Sequence, residues 1–283
     1  MFQPGLLQDK VIVITGGGTG LGRAMGERFL QLGAKLAIAS RREPVLRQAA
    51  DEMMAACGGE VLPLVCDVRD PEAVENMMEA AWSHYGGIDV LVNNAAGNFA
   101  SPTEKLSPRA VDSVLNIVLH GTFYCTLAAG KRWIAAQRRG RILNIVTTYV
   151  QSGSAYVVPS AAAKAGVMAL TRSLAVEWGK HNITSVAIAP GPFPTEGAWS
   201  RLMPAGPMAD MAINRVPLKR VGRHEELANL ASYLLSGMAE YINGDCIVID
   251  GGEWLKGAGQ FSWLEMLSDE DWAQLAMRAR QGK

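Results

Sequence analysis

The chain has 283 residues, 49% of them apolar, which is enough for one large α/β domain with a substantial core and excludes disorder as its main state. Its 27 Lys and Arg balance 27 Asp and Glu, and a chain without basic excess is a poor candidate for binding nucleic acid or anionic membranes. Charged residues reach only 19%, below the usual value of about 25%, which points to surface hidden between subunits.

No apolar run approaches the roughly 18 residues of a membrane span. Residues 1–10 carry neither a basic-then-apolar leader nor an Arg-rich amphipathic stretch. The expected location is the cytoplasm if the source is bacterial, and otherwise an organelle whose targeting peptide has been removed. Cys57, Cys66, Cys125 and Cys246 form no CxxC and sit in or beside apolar stretches, as small thiols in a reducing compartment do. His84, His120, His181 and His224 form no HxxH or HxxxH pair, so no metal site is expected.

In chain order, a strand over 11–15 leads to a helix over 21–32, and a strand over 35–39 to a helix over 44–56. A strand over 61–66 precedes a helix over 71–85, and one over 89–92 precedes a long helix over 108–137. Strands over 141–146 and 184–189 bracket a helix over 161–179, and a helix over 225–235 precedes a last strand over 246–250. The strand runs are almost continuously apolar, the signature of a parallel sheet buried on both faces. Alternation of strand and helix predicts a single Rossmann-like doubly wound domain of about seven strands with helices on both faces, its core over about 8–252. The Pro- and Gly-rich stretch 190–216 is expected to be a loop forming a substrate lid. In the tail, 253–283, Ser268 and Asp271 have the spacing of a helix start, and an amphipathic helix docked on its own or a neighbouring subunit is expected.

Thr15-Gly16-Gly17-Gly18-Thr19-Gly20-Leu21-Gly22 follows the first strand and opens the first helix. Glycines let the backbone approach a pyrophosphate, and the helix N-terminus then offers it free N–H groups and a positive dipole end. The second strand ends in Ala39-Ser40-Arg41-Arg42. With no carboxylate at that turn to grip a ribose 2′-OH, Ser40 and Arg41 suit a 2′-phosphate, so NADPH is the expected cofactor. Asp67 closes the third strand, where its carboxylate can accept from an adenine amino group or cap the next helix; Asp70 already fits the cap.

Together with Asp67-Val68, Asn93-Asn94-Ala95-Ala96-Gly97, Pro190-Gly191-Pro192 and Asp250-Gly251-Gly252, the glycine loop resembles the short-chain dehydrogenase/reductase family over roughly residues 8–252. The resemblance implies hydride transfer from a nicotinamide and contacts to its reactive end from Pro190 to Phe193. It also implies a Tyr acid four residues before a Lys that binds ribose. Lys164 stands in the right setting, but Ser160 occupies the Tyr position, Thr147 the usual Ser and Val118 the usual Asn. Asn98-Phe99, Ser101–Glu104, Leu106-Ser107-Pro108, Thr147-Thr148-Tyr149 and Val157–Ser160 are similar to the 2,4-dienoyl-CoA reductases, the mitochondrial type most closely.

That resemblance implies Tyr149 as acid, aided by Asn98, with Ser160 and Lys164 retained. It places an acyl-CoA thioester against Arg69, Phe99, Ser107 and Arg201, and makes the two arginines cations for the coenzyme's phosphates. Each arginine reads equally well as a solvated charge. Asn98 has an alternative reading as a turn residue and Tyr149 as an amphipathic wall residue. Tyr156, near Lys164, is a rival acid that ranks below Tyr149 because Phe is accepted there. The implied assembly is a homotetramer built through the helices over 108–137 and 161–179 and the last strand and helix. Alternatives are reduction of another acyl-CoA or a ketone, and a catalytically silent nucleotide-binding protein.

Overall fold

The structure, a computed structural model, describes residues 3–195 and 206–281. Seven strands form one parallel sheet: β1 (Val11–Thr15), β2 (Lys35–Ser40), β3 (Val61–Val65), β4 (Val90–Asn93), β5 (Gly140–Ile145), β6 (Ile183–Pro190) and β7 (Cys246–Ile249), in the order β3-β2-β1-β4-β5-β6-β7. Side chains alternate across it, so Ile12 and Ile14 of β1 enter one apolar layer while Val11 and Val13 enter the other. The first layer is closed by α1 (Gly20–Gln31), α2 (Glu43–Cys57) and a later helix, α8 (His224–Leu235). The second is closed by α3 (Pro71–Tyr85), α5 (Gly121–Ala135) and α6 (Val158–Glu177). Between them, α4 (Pro108–Leu115) precedes α5, and α7 (Pro207–Arg215) precedes α8. The doubly wound sheet expected from the alternating pattern is the fold observed.

Local chemistry sets the element ends. Asp70 accepts from the N–H groups of Glu72 and Ala73 at 2.9 and 3.4 Å and so starts α3, with Pro71 next to it. Gly86, at φ +71°, ends the same helix. Asp89, just before β4, bonds both neighbouring strands: its N–H donates to the Val11 carbonyl at 2.9 Å, its carbonyl accepts the Arg141 N–H at 3.0 Å, and its carboxylate accepts the Val11 N–H at 2.8 Å and pairs with Arg138 at 3.0 Å. Arg141 of β5 is buried, and its guanidinium donates to the carbonyls of Leu234, Ser236 and Ala239 and to Thr184 Oγ1. One arginine thus satisfies carbonyls at and beyond the end of α8 and ties them to the sheet.

Two expectations need correction. The helix over 108–137 is not continuous α-helix: a π-helical turn, Asn116–His120, separates α4 from α5. The wider turn leaves Val118 buried, and Thr122 Oγ1 donates to the Val118 carbonyl at 2.7 Å. By length and composition the span Pro108–Ala135 could cross a membrane, but half of its most apolar window is buried within the fold, as befits a core helix. The stretch 190–216 is not all loop, since residues 207–215 form α7. In the tail, α9 (Glu253–Ala258) is followed by α10 (Asp269–Gln281). The helix start expected at Ser268 is present: Asp271 N–H donates to Ser268 Oγ at 3.2 Å and Ser268 N–H to Asp271 Oδ2 at 2.9 Å.

Candidate active site

Strand order reverses between β1 and β4, and in an open parallel sheet that switch point is where a crevice opens at the carboxyl ends of the strands. The glycine loop lies at this point. Gly16 takes φ +67°, and a Cβ at Gly22 would stand 2.3 Å from the Gly16 carbonyl oxygen, so loop and helix approach as only glycine permits. The α1 N-terminus carries no side-chain cap at Thr19, which leaves its first N–H groups for a ligand. A cleft of about 180 Å³ unites Gly16, Gly18, Thr19, Ser40, Arg41 and Asp67. Six expected cofactor residues from three separate strand ends therefore face one space. Arg42, Val45, Cys66, Val68, Ala95, Ala96 and Ile117 also line it, and none of them is among the expected cofactor residues. Ala95 and Ala96 carried a usable signal, since they follow β4 directly beside the switch point. These residues fit a dinucleotide.

Asp67 and Arg69, expected to serve different ligands, hold each other. Arg69 Nη2 stands 2.5 Å and Nε 3.0 Å from Asp67 Oδ2, and this pairing holds the Asp67 carboxyl below its ordinary range, with Arg41 adding attraction.

Beyond β5, Tyr149 sits in a short 3₁₀ turn, Thr148–Val150, and its hydroxyl is 3.1 Å from Ser160 Oγ on the first turn of α6. One turn further, buried Lys164 donates from Nζ to the Ile145 carbonyl, and burial pushes its pKa down to about 8. The strand and helix thus bring Tyr149, Ser160 and Lys164 to one end of the sheet. Asn98, after β4, accepts its neighbour's Phe99 N–H at 2.9 Å through Oδ1, so its amide N–H groups remain to be given. Thr147 Oγ1 is buried without a hydrogen-bond partner, a costly state for a hydroxyl.

The Pro190–Phe193 segment leaves β6, with Gly191 N–H on the Ile249 carbonyl at 2.9 Å and Gly222 N–H on the Pro192 carbonyl at 3.0 Å. Thr195, just after it, lies against Gly20, where an added Cβ would be 3.0 Å from Thr195 Cγ2. The segment therefore reaches the glycine loop. Leu21 is partly buried against the core. Phe99 packs on a small apolar cluster that includes Val118, Val146 and Ala163. Ser107 Oγ accepts the Ala110 N–H at 3.2 Å and caps α4. Arg201 lies outside the described residues.

Comparison with known proteins agrees with this geometry. A family model described as enoyl-(acyl carrier protein) reductase matches residues 16–253. A Bacillus subtilis protein described as a probable 2,4-dienoyl-CoA reductase, (2E)-enoyl-CoA-producing, is 45% identical over 250 residues, covering 88% of this chain and 98% of the relative. A Caenorhabditis elegans protein described as a probable 2,4-dienoyl-CoA reductase, (3E)-enoyl-CoA-producing, is 40% identical over 291 residues, covering 100% of this chain and 94% of the relative. The crystal structure of a short chain dehydrogenase from Bacillus anthracis superimposes with a TM-score of 0.80 at 44% identity, covering 87% of this chain and 97% of that one.

Proposed function

The chain belongs to the short-chain dehydrogenase/reductase family of oxidoreductases, and within that family we propose that it is an NADPH-dependent 2,4-dienoyl-CoA reductase forming 3-enoyl-CoA in the β-oxidation of unsaturated fatty acids. The observation that carries the reading is the Tyr149–Ser160 contact at 3.1 Å. A serine at the family's tyrosine position is too short and too weakly acidic to donate a proton itself. It stands within hydrogen-bond distance of the hydroxyl of a tyrosine eleven residues earlier, in the turn that follows β5.

That displacement suits a conjugated thioester better than a ketone. Reduction at the far end of the diene sends electrons to the thioester oxygen, and a proton must then reach C2. The protein's task is to supply hydrogen-bond donors at that oxygen and one transferable proton. Tyr149 O–H and the Asn98 amide are the donors; Tyr149 is also the acid. Lys164, an ammonium below pH about 8, favours the phenolate left behind.

NADPH, when bound, supplies the hydride. The loop residues Gly16, Gly18, Thr19, Gly20, Leu21 and Gly22 would hold its pyrophosphate, with Ser40 and Arg41 on the 2′-phosphate, Asp67 on the adenine and Lys164 on the ribose. Pro190, Gly191, Pro192 and Phe193 would line the nicotinamide end. Arg69, Phe99, Ser107 and Arg201 would take the acyl-CoA. Phe123 and Leu127 of α5 and Val158 and Val176 of α6 expose apolar side chains on the helices expected to pair, which supports a homotetramer.

The test is NADPH oxidation with a 2,4-dienoyl-CoA beside a 2-enoyl-CoA and a simple ketone, with the product double bond located by NMR. Turnover of the dienoyl-CoA to the 3-enoyl product is expected. The two relatives differ in the product their names give, so a 2-enoyl product would correct the protonation site from C2. Turnover of the ketone alone, or tight NADPH binding without any turnover, would overturn the reading.

A further inference from the structure

We propose that the aromatic ring of Tyr156 forms a wall for the acyl chain at the mouth of the crevice and sets a preference for long chains. The inference rests on the acyl-CoA reading above and deepens it.

Tyr156 takes φ +64°. The other non-glycine residues with positive φ among those described are Asp9, Gln137, Asn182 and Lys219, so Tyr156 is the one aromatic in that group. A bulky side chain is disfavoured in this region, whereas Gly153, in the same loop, adopts φ +73° without that strain. If the turn required only its backbone, glycine would serve it better at 156 as well. Such strain at a crevice points to a use for the side chain.

The ring gains nothing from the core. Tyr156 is 64% exposed and joins none of the three buried apolar clusters. It stands instead where the two catalytic loops meet. Its carbonyl accepts the Ser101 N–H at 2.8 Å, tying it to the segment that carries Asn98 and Phe99. On its other side, α6 begins at Val158 and carries Ser160 and Lys164. Phe99, in the segment so tied, is half-buried and packs on the apolar cluster that includes Val118, Val146 and Ala163. A half-buried Phe99 and an exposed ring on the loop tied to its segment offer apolar surface suited to a hydrocarbon chain. Each methylene withdrawn from water is worth about fourfold in affinity, so a ring covering two of them is worth roughly fifteenfold.

The experiment compares kcat/KM for 2,4-decadienoyl-CoA with that for 2,4-hexadienoyl-CoA in the wild type and in Tyr156→Phe, Tyr156→Ala and Tyr156→Gly. The ratio of long to short chain is expected to stay in the Phe variant and to fall about fifteenfold in the Ala and Gly variants. The Gly variant is expected to melt no lower than wild type, because the strained backbone is relieved, which separates loss of the ring from loss of the fold. A ratio unchanged in both the Ala and Gly variants, whether or not both substrates weaken together, overturns the proposal, as does a fall in the Phe variant. Absence of wild-type turnover on both substrates sinks the acyl-CoA reductase reading instead. The ring is then judged by titrating decanoyl- and hexanoyl-CoA onto the NADPH complex, where an unchanged affinity ratio in the Ala variant overturns it.

Discussion

Replacing Lys164 with methionine should make the apoprotein more stable while destroying its function. The ammonium is buried, faces the Ile145 carbonyl, and has its pKa lowered from 10.5 to about 8 by loss of hydration. At about 1.4 kcal/mol per pH unit, holding the charge in the folded protein at neutral pH costs about 3 kcal/mol. Methionine keeps most of the volume but forfeits one hydrogen bond, worth about 1 kcal/mol, so a net gain of about 2 kcal/mol is expected at pH 7. At this chain length that is a rise of about 4–8 °C in melting temperature. The pH dependence supplies the sign. Between pH 8 and 10.5 the unfolded lysine binds more protons than the folded one, so the wild type gains stability with rising pH and the gap to Lys164→Met closes. Cys66 and Cys246, whose thiols burial pushes up to about 11, cost both proteins stability above ordinary thiol pKa values, so the difference between the two isolates the lysine. Denaturant titrations of both proteins at pH 7, 8, 9 and 10 measure it. A Lys164→Met protein less stable than wild type at pH 7, or a gap constant across the series, would refute the reasoning.

Tyr149→Phe should bind NADPH normally and lose about 10²–10⁴ in turnover of dienoyl-CoA, with Ser160→Ala intermediate and Tyr156→Phe milder than either. Near-normal turnover in Tyr149→Phe alongside loss in Tyr156→Phe would reassign the acid. Arg41→Asp should weaken NADPH by about 100-fold in fluorescence titration while sparing NADH, since a charge-assisted contact becomes a repulsion; equal wild-type affinity for the two cofactors would contradict it. Arg141→Ala strands the carbonyls of Leu234, Ser236 and Ala239 and should cost about 3 kcal/mol in denaturant unfolding without changing the cofactor preference. Sedimentation should show a tetramer, and a monomer alone would remove the assembly proposed through α5 and α6.

What can be read along a chain and what cannot is divided here by the range of the interactions involved. β1 and α3 appear in the sequence with their observed ends, because an apolar run buried on both faces and an Asp-Pro start with a following glycine are local signals. β4 is bounded at Val90, one residue later than the apolar run suggests, and the bond of the Asp89 carboxylate to the Val11 N–H, 78 positions away, is not legible along the chain. The π-helical turn at Asn116–His120 is silent in the apolar pattern, since moving backbone hydrogen bonds from i−4 to i−5 calls for no particular residue type. The phosphate loop is legible for the same local reason as α3: glycine is needed where the chain must turn and where a helix must approach it. Neither the partner of Tyr149 nor that of Lys164 is legible in this way. The Tyr149–Ser160 contact depends on how far a loop after β5 folds back over the start of α6, and the Lys164 pKa depends on how completely α6 seals its ammonium against β5. The alanines at 161–163 and 165 hint at that sealing, because small side chains let helix and strand approach. The same closeness leaves Lys164 little besides the Ile145 carbonyl to receive its charge, so the cost of burying it is set by how α6 packs on β5, a contact no local pattern reveals.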